Sequence, residues 1–486
     1  MSVKKISPVE ILIWFIVFLL LLLVVSPFAL GFKIRNDYTA MISRFSEMMQ
    51  ADIRVASYDR GFFSSDVVLE LKLANPSTVI QFSENIIHGP VYLGLLNQGK
   101  SPLVAAVIKG KLVPNAEYRA MLNKVFAGQS PLVYQEIVDY TGNVVVDVYV
   151  PAVDTVIEQD TGPLAIQSSG MVFKSVYSMA QQTMSGEGGM AEFVFNSEQS
   201  SVSVENLKMN FSGRMGINDL LMGDSNLSLA RLDVQSANEQ FAMHDLRVSS
   251  VTSEVGQLIN SLVQVNVREI YASNERFGPA TFNIAVNGLN AGGLKKLQAM
   301  QKDIEARLEQ GVPPEQINAM VAGEMIALVP DLIKQADMKI DPFKLDSELG
   351  SLQSTLNFSV EGLDQNAPAD PMFMMSALNL DLTLDVDAPL MRQLIIWYLD
   401  ANADQVKLAG DATARKAEKN IPLEQKVNEN LQGMIDENWL TINDGVYSSH
   451  ISLHQGQMQL NGKLVDPLQQ FMSQMPAPGG ADVATP

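Results

Sequence analysis

The sequence predicts a mainly β protein with helical insertions (α+β). An amino-terminal transmembrane helix leads into an elongated, antiparallel, β-rich body whose sheet can curl into a groove. Three observations carry this expectation. Ile11 to Val25 is an unbroken apolar run inside the stretch 11–32. From Ile53 onward the dominant apolar period is two, the mark of strands with one buried face. Two later stretches switch to a three-to-four period, the mark of helices covering a sheet.

The stretch 11–32 would make about 33 Å of helix, enough to cross a hydrocarbon core. Lys4 and Lys5 precede it, which keeps the short amino end in the cytoplasm. Ala29-Leu30-Gly31 offers a small-x-small cleavage site, but the apolar run is long for a signal peptide. A helix is expected over Asp37–Gln50, capped by Asn36 or Asp37 and packed on the body of the chain after it. Alternation is plain at Val67-Leu69-Leu71, Val144-Val146-Val148 and Phe282-Ile284-Val286. It is clearest at Leu378-Leu380-Leu382-Leu384-Val386, where Asp381, Asp385 and Asp387 fall on the wet face. Helices are expected over Leu294–Gln335, broken at Gly311-Val312-Pro313-Pro314, and over Pro389–Asn438. The organisation is then a cytoplasmic terminus (1–8), the transmembrane helix (9–32), a β-rich region (36–290) and a helical insertion (291–337). A carboxy-terminal β region (338–473) with helices near 389–438 and a disordered tail (474–486) complete it.

Composition narrows the function classes. The 486 residues include no cysteine, so disulfides, thiolate metal sites and cysteine nucleophiles are excluded. With 34 Lys+Arg against 54 Asp+Glu the net charge is −20, which argues against nucleic acid as a partner.

Four motifs suggest chemistry, and each has a structural reading. Gly94 to Ser101 fits the phosphate-loop spacing G-x-x-x-x-G-K-S. Pro102 falls where its helix should propagate, so no nucleotide is expected there. Gly223-Asp224-Ser225-Asn226 resembles a lipase nucleophile block. No histidine follows an aspartate by three, as that group requires, so a turn between strands is expected. His450 and His454 project from the polar face of a strand, where two ligands make a weak metal site. Asp381, Asp385 and Asp387 read as solvated. No catalytic triad, dyad or metal cluster can be assembled. The expectation is therefore no enzyme and no cofactor.

Three blocks carry a resemblance. They are Tyr58-Asp59-Arg60-Gly61-Phe62-Phe63-Ser64-Ser65, His88-Gly89-Pro90 and Leu460-Asn461-Gly462-Lys463. In the first, Gly61 supplies a turn, Tyr58 and the phenylalanines anchor it, and Arg60 can pair with Asp59 or Asp66. The second reads as a tight turn with an adjacent imidazole. In this order, behind an apolar amino-terminal run, the chain resembles the YdgA-like family of bacterial envelope proteins and, as a fold analogy, the AsmA-like group. The family often has tryptophan where Phe62 stands. The resemblance implies an inner-membrane protein with a periplasmic body, and no catalytic activity. The functional expectation is lipid handling or sensing through an apolar β groove, with a membrane as the partner of residues 11–32 and envelope lipids as ligands. The alternative is a scaffold acting through envelope proteins or self-association.

Overall fold

The structure is a computed structural model that describes residues 26–43, 45–46, 51–72, 79–159, 162–236, 240–272, 275–333, 335–361, 376–408 and 422–465. These residues fall into two units. One is Met1–Gln240 with Gln301–Pro313, and the other is Phe241–Met300 with Pro314–Pro486.

In the first unit, β1 (Asp52–Arg60), β2 (Ser64–Lys72), β3 (Val79–His88), β4 (Ala106–Val113), β5 (Val133–Val138) and β6 (Asn143–Val150) pair antiparallel in chain order. Next come β7 (Val153–Gln159), β8 (Gly162–Ser168) and β9 (Met171–Ser178). β6 pairs with β9 and β7 with β8, which makes one long hairpin bent at Pro151-Ala152. β10 (Thr183–Asn196) lies along both β9 and β8, and β11 (Ser200–Met215) and β12 (Leu221–Ser236) extend the ladder. The helix before β1, α1, covers residues 26–43. Its Tyr38 and Ile42 are buried with Val67, Leu69, Ile86, Ala106 and Ile108 from β2, β3 and β4. The alternation of β2–β4 turns these side chains to one face, and α1 closes that face. A second, short helix, α2 (Ala116–Val125), follows β4 and is capped by Asn115, whose side chain accepts from the Tyr118 amide.

The second unit repeats the logic with different cover. β13 (Gln240–Val255) pairs with β14 (Leu258–Val267) and β15 (Glu269–Ala272), and both pair with β16 (Glu275–Asn290). α3 (Ala291–Glu309), whose residues from Gln301 are assigned to the first unit, and α4 (Pro314–Ile333) follow, separated at Gly311, whose φ of 77° suits glycine. β17 (Asp337–Ser347), β18 (Gly350–Val360), β19 (Leu378–Asp387) and β21 (Val446–His454) then pair in succession. Between β19 and β21 lie α5 (Ala388–Leu408), α6 (Leu423–Asp436) and the short β20 (Thr441–Asn443). β22 (Gln457–Leu460) and β23 (Lys463–Val465) end the described chain. The core here has Val386, Leu390, Ile395, Val427 and Leu431 at its centre.

The expected fold class needs correction. The architecture is mostly antiparallel β, but among the described residues no helix is long and apolar enough to cross a membrane. Residues 9–25 of the expected span lie outside the described residues, as does the tail 474–486. The end of that span forms the first turns of α1, where some of its residues touch the body of the chain. Phe28 stacks on Phe62, Arg60 lies over the Phe28 and Phe32 rings, and Gly31 packs against His88. Asn36 and Asp37 are interior to α1 rather than its cap, because the helix already runs from residue 26. The expected curled groove is corrected too. Among the described residues the first unit carries a trough of about 690 Å³ of mixed lining, with Asn85, Lys109, Gln135 and Asp147 beside Val133 and Tyr149, rather than an apolar groove.

Candidate functional site

The first two blocks of the resemblance meet beneath the start of α1. β1 and β2 turn around at Gly61, whose amide donates to the Ser64 carbonyl over 2.8 Å. A Cβ on Gly61 would sit 2.7 Å from that oxygen, so close backbone approach is what requires glycine. Beyond the turn, Ser65 opens the buried face of β2, while β3 ends at His88. Both are enclosed, at 1% and 3% exposure. The Ser65 hydroxyl lies 2.8 Å from His88 Nε2, and His88 Nδ1 lies 3.3 Å from the Phe62 carbonyl. A neutral ring satisfies both: Nδ1–H donates to Phe62, and Nε2 accepts from Ser65. Burial pulls the His88 pKa down against the Phe62 carbonyl, which favours that neutral form. His88 also donates its backbone amide to the Phe63 carbonyl, and Gly89 donates to Ala105. The two blocks are thereby stitched together.

Arg60 does not pair with Asp59 or Asp66. Its guanidinium lies 4.6 Å from the Phe28 ring centroid and 3.7 Å from that of Phe32, and it donates to the Phe28 carbonyl over 3.3 Å. Tyr58 packs beside Tyr38, and its hydroxyl is buried with no hydrogen-bond partner among the described residues. Burial raises its pKa, against the charges of Arg35 and Arg60. Ser65 and His88 thus have the spacing of a nucleophile and its base. The third group is a carbonyl rather than a carboxylate, and Gly31 lies on the ring. As placed, the pair joins the start of β2 to the end of β3.

One strand pair deeper lies a cluster the sequence reading did not single out. Val67, Glu84, Gly110 and Tyr134 form one cross-strand row. Glu84 is 3% exposed and accepts from the hydroxyls of Tyr38 on α1 and Tyr134 on β5. Gly110 makes this reach possible, since a Cβ there would fall 2.0 Å from the Tyr134 ring. Glu136 lies two residues along β5 on the same face. Burial raises the Glu84 pKa against its two tyrosine donors. Burial, and then the charge of Glu84, push the Glu136 carboxyl up to about 8. Both tyrosine pKa values rise as well, through burial first and Glu84 second.

The remaining motifs resolve locally. In the phosphate-loop-like segment, Leu93–Gln98 is a 3-10 turn whose following amides, Gly99 and Lys100, donate to Leu96 and Leu95. Lys100 forms an ion pair of 2.6 Å with Asp147. Gly223–Asn226 lies inside β12 rather than at a turn, because the β11–β12 reversal falls at Gly216–Leu220. His450 and His454 do share a carboxylate: Asp381 sits between them at 2.7 and 3.2 Å. Those bonds lower the Asp381 pKa. Among the described residues no group of three such side chains could hold a metal ion.

The third block belongs to the second unit. Asn461 and Gly462 form the β22–β23 turn with φ of 49° and 79°. Leu460 is fully buried, while Lys463 opens β23. The Asn461 side chain accepts from the His450 amide at 2.7 Å and donates to the Asn438 carbonyl at 2.7 Å, tying the turn to β21 and the end of α6. The block is therefore a structural corner.

These features define an antiparallel β-ladder protein with helices laid over its strands. Residues 4–467 match the family described as bacterial protein of unknown function (DUF945), and the chain belongs to that family. No curated protein and no solved structure matches it.

Proposed function

We propose that this is a non-enzymatic protein of the bacterial cell envelope that handles or senses lipid, with acyl chains lying on the apolar side of the β9–β12 ladder. One observation carries the reading. The register sets Phe173, Tyr177, Met184, Met209, Phe211 and Leu227 on a single face. The Phe173 and Phe211 rings stack at 6.1 Å across Gly186 and Gly188, which leave room for them. These side chains are only partly buried. Methionine and aromatic side chains adapt to apolar ligands of varied shape. The net charge of −20 disfavours anionic headgroups, so the tails must supply the affinity. The envelope setting, with a periplasmic body at the inner membrane, rests on the apolar run 11–32, whose partner is a membrane, and on the motif blocks. The narrower YdgA-like name and the AsmA-like analogy belong to the same proposal.

The test places a photo-crosslinking amino acid at Phe211, Met209 or, on the opposite face, Asp224 in the full chain within cells. Phospholipid adducts at 211 and 209, and few at 224, support the reading. Protein adducts without lipid at 211 and 209 overturn it in favour of a scaffold working through protein partners.

A further inference from the structure

Glu84 is buried beneath α1, which packs on the β2–β4 face, and Glu136, half-buried, stands two residues from Tyr134 along β5 on that same face. Glu84 is the anchor: it receives one tyrosine hydroxyl from the helix side (Tyr38) and one from the sheet side (Tyr134). The elements packed around it bring few other charges. β2 offers Val67 and Leu69 and β4 offers Ile108 and Gly110 on this face. The titratable groups are Tyr38 from α1, Tyr58 from β1, Tyr134 and Glu136 from β5. The cations Arg35 and Arg60 stand off beside Tyr58. Two carboxylates in such a pocket repel when both are ionised, and one proton between them removes the repulsion.

We propose that Glu84 and Glu136 form a proton-operated latch for α1. While the pair holds a proton, Glu84 stays in place as the acceptor for Tyr38 and the helix is fastened. Loss of that proton drives the carboxylates apart or draws in water, and α1 lifts from the sheet. Release uncovers Val67, Leu69, Ile86 and Ile108, an apolar face that the docked helix hides. Gly110 is part of the device, because it lets Tyr134 reach Glu84 and hold it from the sheet side.

Limited trypsin digestion of the full chain reads the latch, because Lys33 and Arg35 lie on α1. Cleavage after these residues is quantified by mass spectrometry at about pH 6.5 and about pH 9.5, normalised to a free peptide, so that the two conditions bracket ionisation. The wild-type rate should rise about tenfold at the higher pH. Glu136→Gln, which has no second charge to develop, should rise less than about twofold. Tyr38→Phe should be cleaved faster than wild type at both values, since its fastening is gone throughout. Equal wild-type rates at the two pH values, full pH dependence in Glu136→Gln, or wild-type behaviour in Tyr38→Phe would each overturn the proposal.

Discussion

Helices cover strands in both units of this molecule, and they are fastened in different ways. α5 and α6 pack on β18, β19 and β21 through Leu390, Ile395, Val427 and Leu431, and Arg392 joins the two helices through Asn428 and Glu424 at their exposed side. α1 lies on β2–β4 through Tyr38 and Ile42, and its centre is a carboxylate held by two tyrosines. An apolar fastening depends on volume and is indifferent to pH. A fastening through a buried acid depends on where its proton is. The contrast teaches that the same layer architecture can be permanent in one place and adjustable in another.

The largest effect belongs to the apolar side. Leu390 is fully buried, and Leu390→Ala should cost about 2–5 kcal/mol in denaturant unfolding. That loss should be the same at acid and alkaline pH. A loss that changed with pH would break the comparison at its simpler end.

Next comes Gly110→Ala. Its Cβ would lie 2.0 Å from the Tyr134 ring, so the ring must move and Glu84 loses a donor. The expected cost is about 1–3 kcal/mol. Tyr134→Phe added to it should cost little more, which a double-mutant cycle measures.

Ser65→Ala should cost a similar or smaller amount, about 1–3 kcal/mol, because it leaves His88 Nε2 buried without its donor. Arg60→Ala and Gly61→Val should likewise lower thermal stability, since both act through the contact of the turn with α1 and with Ser64. Wild-type melting in these variants would show that the blocks do something other than fasten the fold.

The smallest effect is expected at Asp381→Asn. Its bonds to His450 and His454 are solvent-screened, so the change should stay within about 1 kcal/mol. Asp381 has a lowered pKa. Its contribution is therefore present above the unfolded carboxyl pKa and lost as pH falls through the folded value. Glu136 has the opposite sign. Its pKa is raised to about 8, so its contribution is fully present below the unfolded value and disappears as pH climbs through the folded one.

Much of the ladder was legible in the sequence. Leu378-Leu380-Leu382-Leu384-Val386 forms β19, and the Gly311-Val312-Pro313-Pro314 break separates α3 from α4. Periodicity reports such elements because burial of one face imposes it. The role of α1 was not legible in the same way. An apolar run reads alike whether lipid or protein receives its end, and the partners of Phe28 and Gly31 come from Arg60, Phe62 and His88, distant in the chain. The Ser65–His88 bond was hidden for the same reason. The Glu84 cluster did leave a signal: Phe82-Glu84-Ile86 and Tyr134-Glu136-Val138 place a carboxylate in an apolar register. Its meaning depends on Tyr38 and Gly110, which only the fold brings alongside.

Hydrogen exchange, corrected for intrinsic rates, tests the contrast most directly when residues 34–42 of α1 and residues 423–436 of α6 are followed in the same full-length chain from acid to alkaline pH. The account predicts that α1 loses protection as pH passes about 8 while α6 keeps its own. Parallel behaviour of the two helices, whether both hold or both open together, would contradict it.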